Sequence, residues 1–547
     1  MRVVLALFVF VTLATCAPRA LKEPEELDMA NWLSNDENTV TIDQGTIVGA
    51  VYSTARAFYA IPYAQPPLGD LRFEPPQSPL PFTSTLHART YGPGCPQDCE
   101  LPPYTCTYDG TSEDCLTVDV YTPRGATPTS NLPVLFFIHG GNFIQGGTGT
   151  IIYNADFIAN NTNVVVVNVQ YRLGALGFFY NGDVSGNFGI LDQTMALQWV
   201  KNNIAAFGGN PNQVTIWGQS AGGNSVMCHM ISPASQGLMN AVAMDSNPIT
   251  LYLNSEKLAN ELSSRFASIL GCDVSDLTCL RNQNTSAIVA AQAQAIKIYP
   301  LHPLNAFMPW QPMVDGQLIP MQPMSAISSG NYNHVPFITG TVDNEAVMFI
   351  YSAFVDPVPY DDYLALVGLI FGPMAPRVLK EYPVPASQMN DTRPTICELG
   401  TAYIFHCPVR NVSRMISNDS VPTYFYHFDH YFTNFNPWGP DYPECVDEVC
   451  HGSELPYIFN SAQIGHRYTG YVWSEQEAAL AQLISTYWGN FAISGNPNMP
   501  NTQSLTWPLY TASTDQDLQF ATPSDVESGY MKSQCDFWDS IGYSWGN

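Results

Sequence analysis

Six short apolar runs, at residues 134–138, 164–169, 214–217, 241–244, 336–339 and 423–428, punctuate the chain, with helix-like segments such as 191–206 between them. A strand with one wet face alternates apolar and polar residues. A run without alternation is covered on both faces, as in a parallel sheet packed between helices. The pattern predicts an α/β fold with a central, mostly parallel sheet, helices on both faces and long insertions. Residues 254–294 and 361–389 read as mostly helical excursions. Upstream, 40–42 and 47–52 flank Asp43-Gln44-Gly45 as an opening hairpin, and a Pro-rich stretch follows. A chain of 547 residues ordinarily divides into two or more domains. Here no linker composition or internal repeat interrupts it, and the candidate site residues run from 140 to 451, so residues 18–547 are read as one domain.

The chain is 46% hydrophobic and 12% charged, a balance that excludes disorder, and 47 Asp and Glu against 20 Lys and Arg give a net charge of -27. That charge repels phosphate backbones and anionic membrane surfaces, so nucleic acid is not an expected partner. Arg2, an apolar run over 3–11 and the small residues through Ala17 have the order of a signal peptide, assigned to 1–17 with cleavage near Cys16 or Ala17. No later stretch reaches ~20 apolar residues, so no integral membrane association is expected.

A secreted or vesicular destination fits the thirteen cysteines and five sequons, at Asn160, Asn284, Asn390, Asn411 and Asn418. Near spacing suggests Cys272 with Cys279, Cys445 with Cys450, and Cys99 with Cys106 inside a larger Cys95 to Cys115 loop. Cys228 reads as a lone buried thiol. Of the remaining three, joining Cys407 to Cys535 leaves Cys397 unexplained, and spacing alone does not fix connectivity.

Gly218-Gln219-Ser220-Ala221-Gly222 follows one apolar run and precedes a segment that can be helical, the context of a nucleophile elbow. The sharp turn explains the glycines and lifts the hydroxyl out at the head of a helix. A serine hydroxyl needs a base oriented by a carboxylate, in chain order Ser, acid, His. His451, in a glycine-bearing loop after 423–428, and Glu345, just beyond 336–339, occupy strand C-terminal ends where such groups gather. On spacing alone Asp343 could serve as the acid. His139-Gly140-Gly141-Asn142 follows the run 134–138 and can turn backbone amides inward; the N–H groups of Gly141, Asn142 and Ala221 are the candidate oxyanion hole. Cys445, Cys450 and His451 also carry metal-ligand chemistry, but a near cysteine pair in a secreted chain favours a disulfide. No metal or other cofactor is expected.

These segments, with Tyr63-Ala64-Gln65-Pro66-Pro67, Leu71-Arg72-Phe73, Ser112-Glu113-Asp114-Cys115-Leu116 and Asn187-Phe188-Gly189-Ile190-Leu191-Asp192-Gln193, resemble those of the type-B carboxylesterase/lipase family in the family's order. The resemblance covers nearly the whole mature length. It implies an α/β-hydrolase fold with Ser220, Glu345 and His451 as triad, and it prefers Glu345 over Asp343. It implies structural ion pairs Arg72 with Glu113 and Arg172 with Asp192, and disulfides Cys95–Cys115, Cys272–Cys279 and Cys407–Cys535. Ser246 takes a supporting position. The pattern is nearest to secreted esterases of the branch that includes a vesicular crystal-forming protein.

Three departures stand out. Gln219 replaces the family's usual Glu, and Asn142 stands where many relatives have a third glycine. The 95–115 loop has Tyr104 and Tyr108 but no Trp, which disfavours a choline ester. The expectation is a secreted serine esterase acting on a small-molecule ester through an acyl-enzyme. The alternative is a non-catalytic, storage or crystal-forming member of the same family.

Overall fold

The computed structural model describes residues 36–101, 105–107, 110–297, 304–432, 438–461 and 472–544. The expected signal peptide, Tyr104 and Tyr108 lie outside the described residues. Thirteen strands are present among them: β1 (Thr39–Ile42), β2 (Gly45–Val51), β3 (Ala55–Pro62), β4 (Leu86–Ala88), β5 (Thr117–Pro123), β6 (Leu132–Ile138), β7 (Val165–Val169), β8 (Gly209–Gln219), β9 (Ala241–Asp245), β10 (Phe337–Val342), β11 (Thr423–Phe428), β12 (Gln516–Phe520) and β13 (Asp525–Ser528). They form one sheet in the order β1-β2-β3-β5-β7-β6-β8-β9-β10-β11-β12-β13, with β4 beside β2.

Every pairing from β7 to β12 is parallel. The β1 to β7 side is antiparallel along that order, as is the closing β12–β13 pair. Burial on both faces is visible in the side chains of the central strands. In β6, Val134, Phe136 and Ile138 enter the core on one face, while Leu135 and Phe137 enter that on the other. Helices therefore pack on both faces, and the interior strands are apolar throughout.

The excursion after β9 folds as helices Glu256–Ile269, Leu277–Arg281 and Thr285–Ile296. The later one folds as Tyr360–Phe371 and Ala375–Glu381, separated by a tighter turn at Gly372–Met374. Together that pair is long and apolar enough to cross a membrane by length and composition. The turn divides it into pieces of 12 and 7 residues, each shorter than the ~20 a single span needs.

The structure joins Cys95–Cys115, Cys99–Cys106, Cys272–Cys279, Cys407–Cys535 and Cys445–Cys450. Cys228 and Cys397 are buried free thiols. Arg72 pairs with Glu113 at 2.5 Å and Arg172 with Asp192 at 2.7 Å, both among buried side chains that brace loops.

Candidate active site

Strand β8 ends at Gln219 and the helix Ala221–Ile231 begins two residues later, leaving Ser220 alone to make the turn. Its backbone sits at φ 59°, ψ -124°. Such a conformation costs a non-glycine residue roughly 1–3 kcal/mol and persists only where the surroundings fix it. Here Ser220 N–H donates to the Asp245 carbonyl at 2.9 Å, and the Ser220 carbonyl accepts from Asn224 N–H at 2.9 Å. Space is as tight as the motif requires: a Cβ at Gly222 would lie 2.0 Å from the Ile138 carbonyl oxygen.

His451 is brought against Glu345 across 106 residues of sequence, its Nδ1 lying 2.5 Å from Glu345 Oε2. The other carboxyl oxygen of Glu345 accepts from Val342 N–H at 2.9 Å, which fixes its direction. The two loops are tied together next to this contact. Asn344 N–H donates to the Val449 carbonyl at 3.1 Å, and Asn344 Oδ1 accepts from Val449 N–H at 2.9 Å. The Cys445–Cys450 disulfide closes the loop immediately before His451, so these cysteines are cross-linked to each other. Asp343 faces away, accepting a hydrogen bond from the Tyr530 hydroxyl. Of the two acids spacing left open, Glu345 is the one that meets the imidazole.

The loop after β6 is held in an unusual shape by left-handed residues in succession, Gly141 (φ 107°), Asn142 (φ 55°) and Phe143 (φ 59°). A Cβ at Gly141 would fall 2.2 Å from the Gln145 carbonyl oxygen, so only glycine fits. Buried His139 braces the loop. Its Nδ1–H donates to the Gly140 carbonyl at 2.8 Å, and its ring stacks on Tyr171 at 4.5 Å. Burial holds the His139 ring down at about 4, so it is neutral and structural. Ala221 opens its helix, where backbone N–H groups lack intrahelical partners.

Asn142 and Ser220 line a narrow pocket otherwise walled by apolar side chains including Leu251, Phe307, Phe349, Ile404 and Phe405. Phe349 and Phe405 also flank the His451 ring, at 5.0 and 5.2 Å.

The sequence marks Gln219 as a departure but not what it touches, and two buried carboxyls escape it altogether. Gln219 Nε2 lies 3.1 Å from His451 Nε2, a contact between residues 232 apart for which no spacing signal exists. Behind the site lie two further buried carboxyls, Asp245 and Glu454, each coupled to Glu345. Burial, reinforced by Asp245 and Glu345, drives Glu454 well above the usual carboxylate range. Asp245 accepts from Trp217 Nε1–H and, at 2.9 Å, from the Tyr426 hydroxyl. Burial outweighs those donors and pushes it up to about 7 from 3.8.

A raised carboxyl means that the folded state favours the protonated form. The stability this confers is complete below about pH 4 and is lost as pH climbs towards 7. Asp245→Asn cannot titrate, yet its amide N–H2 cannot accept one of the two hydrogen bonds. The variant is therefore expected to melt below the wild type at pH 4, with the gap narrowing steadily to pH 8. Thermal melts across that range check this, and a constant or widening gap would contradict it.

A sheet with a parallel centre and a strained serine turn at the end of one central strand, with an imidazole–carboxylate pair on loops from two others, is the architecture of an α/β-hydrolase. Residues 36–538 match the profile of the Carboxylesterase family, and the chain belongs to that family. It is 39% identical to the cAMP-regulated D2 protein of Dictyostelium discoideum, covering 94% of this chain and 95% of the relative. It is 38% identical to the Crystal protein of the same organism, covering 93% and 92%. Identity to the Cocaine esterase of Homo sapiens is 33%, over 91% of this chain and 90% of the relative. Among solved structures, a thermophilic PNB esterase superposes with a TM-score of 0.78 at 28% identity, covering 92% of this chain and 99% of the other.

Proposed function

We propose that the protein is a secreted serine hydrolase that cleaves carboxylic esters through an acyl-enzyme on Ser220. The observation that carries this is the Nδ1–Oε2 contact of 2.5 Å between His451 and Glu345, held next to a strained serine turn on an apolar cavity. Ser220 Oγ attacks the ester carbonyl while His451 Nε2 takes its proton, and Glu345 stabilises the resulting imidazolium. The carbonyl oxygen, now an anion, is received by the backbone N–H groups of Gly141, Asn142 and Ala221. His451 protonates the departing alkoxide, which leaves as the alcohol, and water then releases the acid by the same steps in reverse. The apolar cavity walls favour substrates with an uncharged hydrocarbon group.

Secretion is supported by the signal-like residues 1–17 and by five disulfides. A storage or crystal-forming role is the second reading, supported by the name of the 38% identical Crystal protein.

The test is hydrolysis of p-nitrophenyl esters from acetate to octanoate by the purified protein. Saturable turnover is expected, whereas none in well-folded protein would favour the second reading. Gly141→Ala is expected to lower kcat by about 10²–10³-fold, because the left-handed turn that aims the amides cannot form around a Cβ. Steady-state kinetics check it, and unchanged kcat would remove this loop from the mechanism.

A further inference from the structure

The base position carries a bond that the mechanism above does not use. Glu345 occupies His451 Nδ1 as acceptor, so in the neutral ring Nδ1 bears the proton and Nε2 offers a lone pair. The Gln219 side-chain N–H donates into that lone pair across 3.1 Å. Gln219 is buried, and its carboxamide is confined between two loops. A Cβ at Gly140 would come within 3.0 Å of Gln219 Oε1, and one at Gly452 within 3.7 Å of its Nε2.

We infer that Gln219 is a positioning residue that holds His451 neutral and Nδ1-protonated, and so extends the pH range of the base to lower pH than a carboxylate there would allow. The inference rests on the proposed catalytic role of His451. A donor to the neutral ring opposes protonation, whereas an anion at the same distance would favour it.

Among the described residues, Glu345 from the loop after β10 meets the ring at Nδ1, while Asp245 at the end of β9 and Glu454 in the ring's own loop interact electrostatically with Glu345. Strand β8 brings Gln219 and Ser220. Helix Val347–Ala353 and the π-helical segment Thr401–His406 bring the phenyl rings of Phe349 and Phe405. Gln219 is thus a neutral group on the Nε2 side of a ring whose Nδ1 meets the Glu345 carboxylate. For His451 to take the Ser220 proton, the Ser220 hydroxyl must replace the Gln219 N–H at the Nε2 lone pair.

The test compares wild type, Gln219→Glu and Gln219→Ala by NMR titration of ¹³C-labelled histidine rings, with the His451 signal assigned by its loss in His451→Gln. Gln219→Glu is expected to raise the His451 midpoint by about 1–3 pH units, with a smaller rise in Gln219→Ala. The acid limb of kcat/KM should move by the same amounts. Equal midpoints in the three proteins, or a fall in Gln219→Glu, would overturn the inference. The titration needs no turnover. An inactive wild type that also fails to label with a fluorophosphonate would sink the esterase reading, while the midpoints would still decide the role of Gln219.

Discussion

Ser220→Ala is expected to lower kcat/KM for p-nitrophenyl esters by about 10⁴–10⁶-fold while leaving the melting temperature close to that of the wild type. The two halves of the prediction have separate causes. Alanine keeps a Cβ and demands the same backbone as serine, so the turn at φ 59° and its anchors to Asp245 and Asn224 are retained. What disappears is the hydroxyl that the proposed mechanism acylates. Residual rate would come from carbonyl binding at the Gly141, Asn142 and Ala221 amides, and removing His451 as well should cost little more, because the groups act as a unit. Steady-state kinetics with parallel thermal melts separate the outcomes. Loss of less than tenfold in the well-folded variant would show that another nucleophile does the work.

The second large effect is at the acid. Glu345 presents Oε2 to His451 Nδ1 and Oε1 to the Val342 N–H. In Glu345→Gln one of those positions must be filled by N–H2. If the amide nitrogen faces the imidazole, the ring is driven to the wrong tautomer. If it faces Val342, two donors collide, and in either case the charge that stabilises the imidazolium is gone. A loss of about 10⁴-fold in kcat with little change in KM is expected. Asp343→Asn serves as the comparison, since Asp343 bonds the Tyr530 hydroxyl, and kcat should stay within a few-fold of wild type. Equal losses at both positions would contradict the assignment of Glu345 as the acid.

The centre of the sheet was legible because burial on both faces leaves no room for polar alternation. β11 matches the predicted bounds, and β6, β7 and β9 match within two residues. The parts that escaped are strands whose polar side chains are satisfied internally. β5 is buried along its whole length, yet carries Asp119, whose carboxyl accepts from Ala60 N–H of neighbouring β3 at 2.8 Å. The sequence Thr117–Pro123 therefore does not read as an apolar run, and both β3 and β5 fell within what looked like a Pro-rich connection. β8 begins at Gly209 with a polar segment before its apolar run.

At the site, the elbow and the glycine loop are local and carry their steric reasons in neighbouring residues. The choice between Asp343 and Glu345 is not local. It depends on where the Tyr530 hydroxyl and the His451 ring arrive from distant parts of the chain, and adjacent residues cannot encode it. The contact of Gln219 with His451 and the buried carboxyls Asp245 and Glu454 were hidden for the same reason.

The central claim is that Ser220 is the acylated residue, and the most direct measurement is mass-spectrometric mapping of a fluorophosphonate adduct on the purified protein. The account predicts one stoichiometric adduct on the peptide bearing Ser220, formed at a rate that falls with Glu345→Gln and vanishes with Ser220→Ala. An adduct on a different serine, or none in protein that hydrolyses esters, would contradict it.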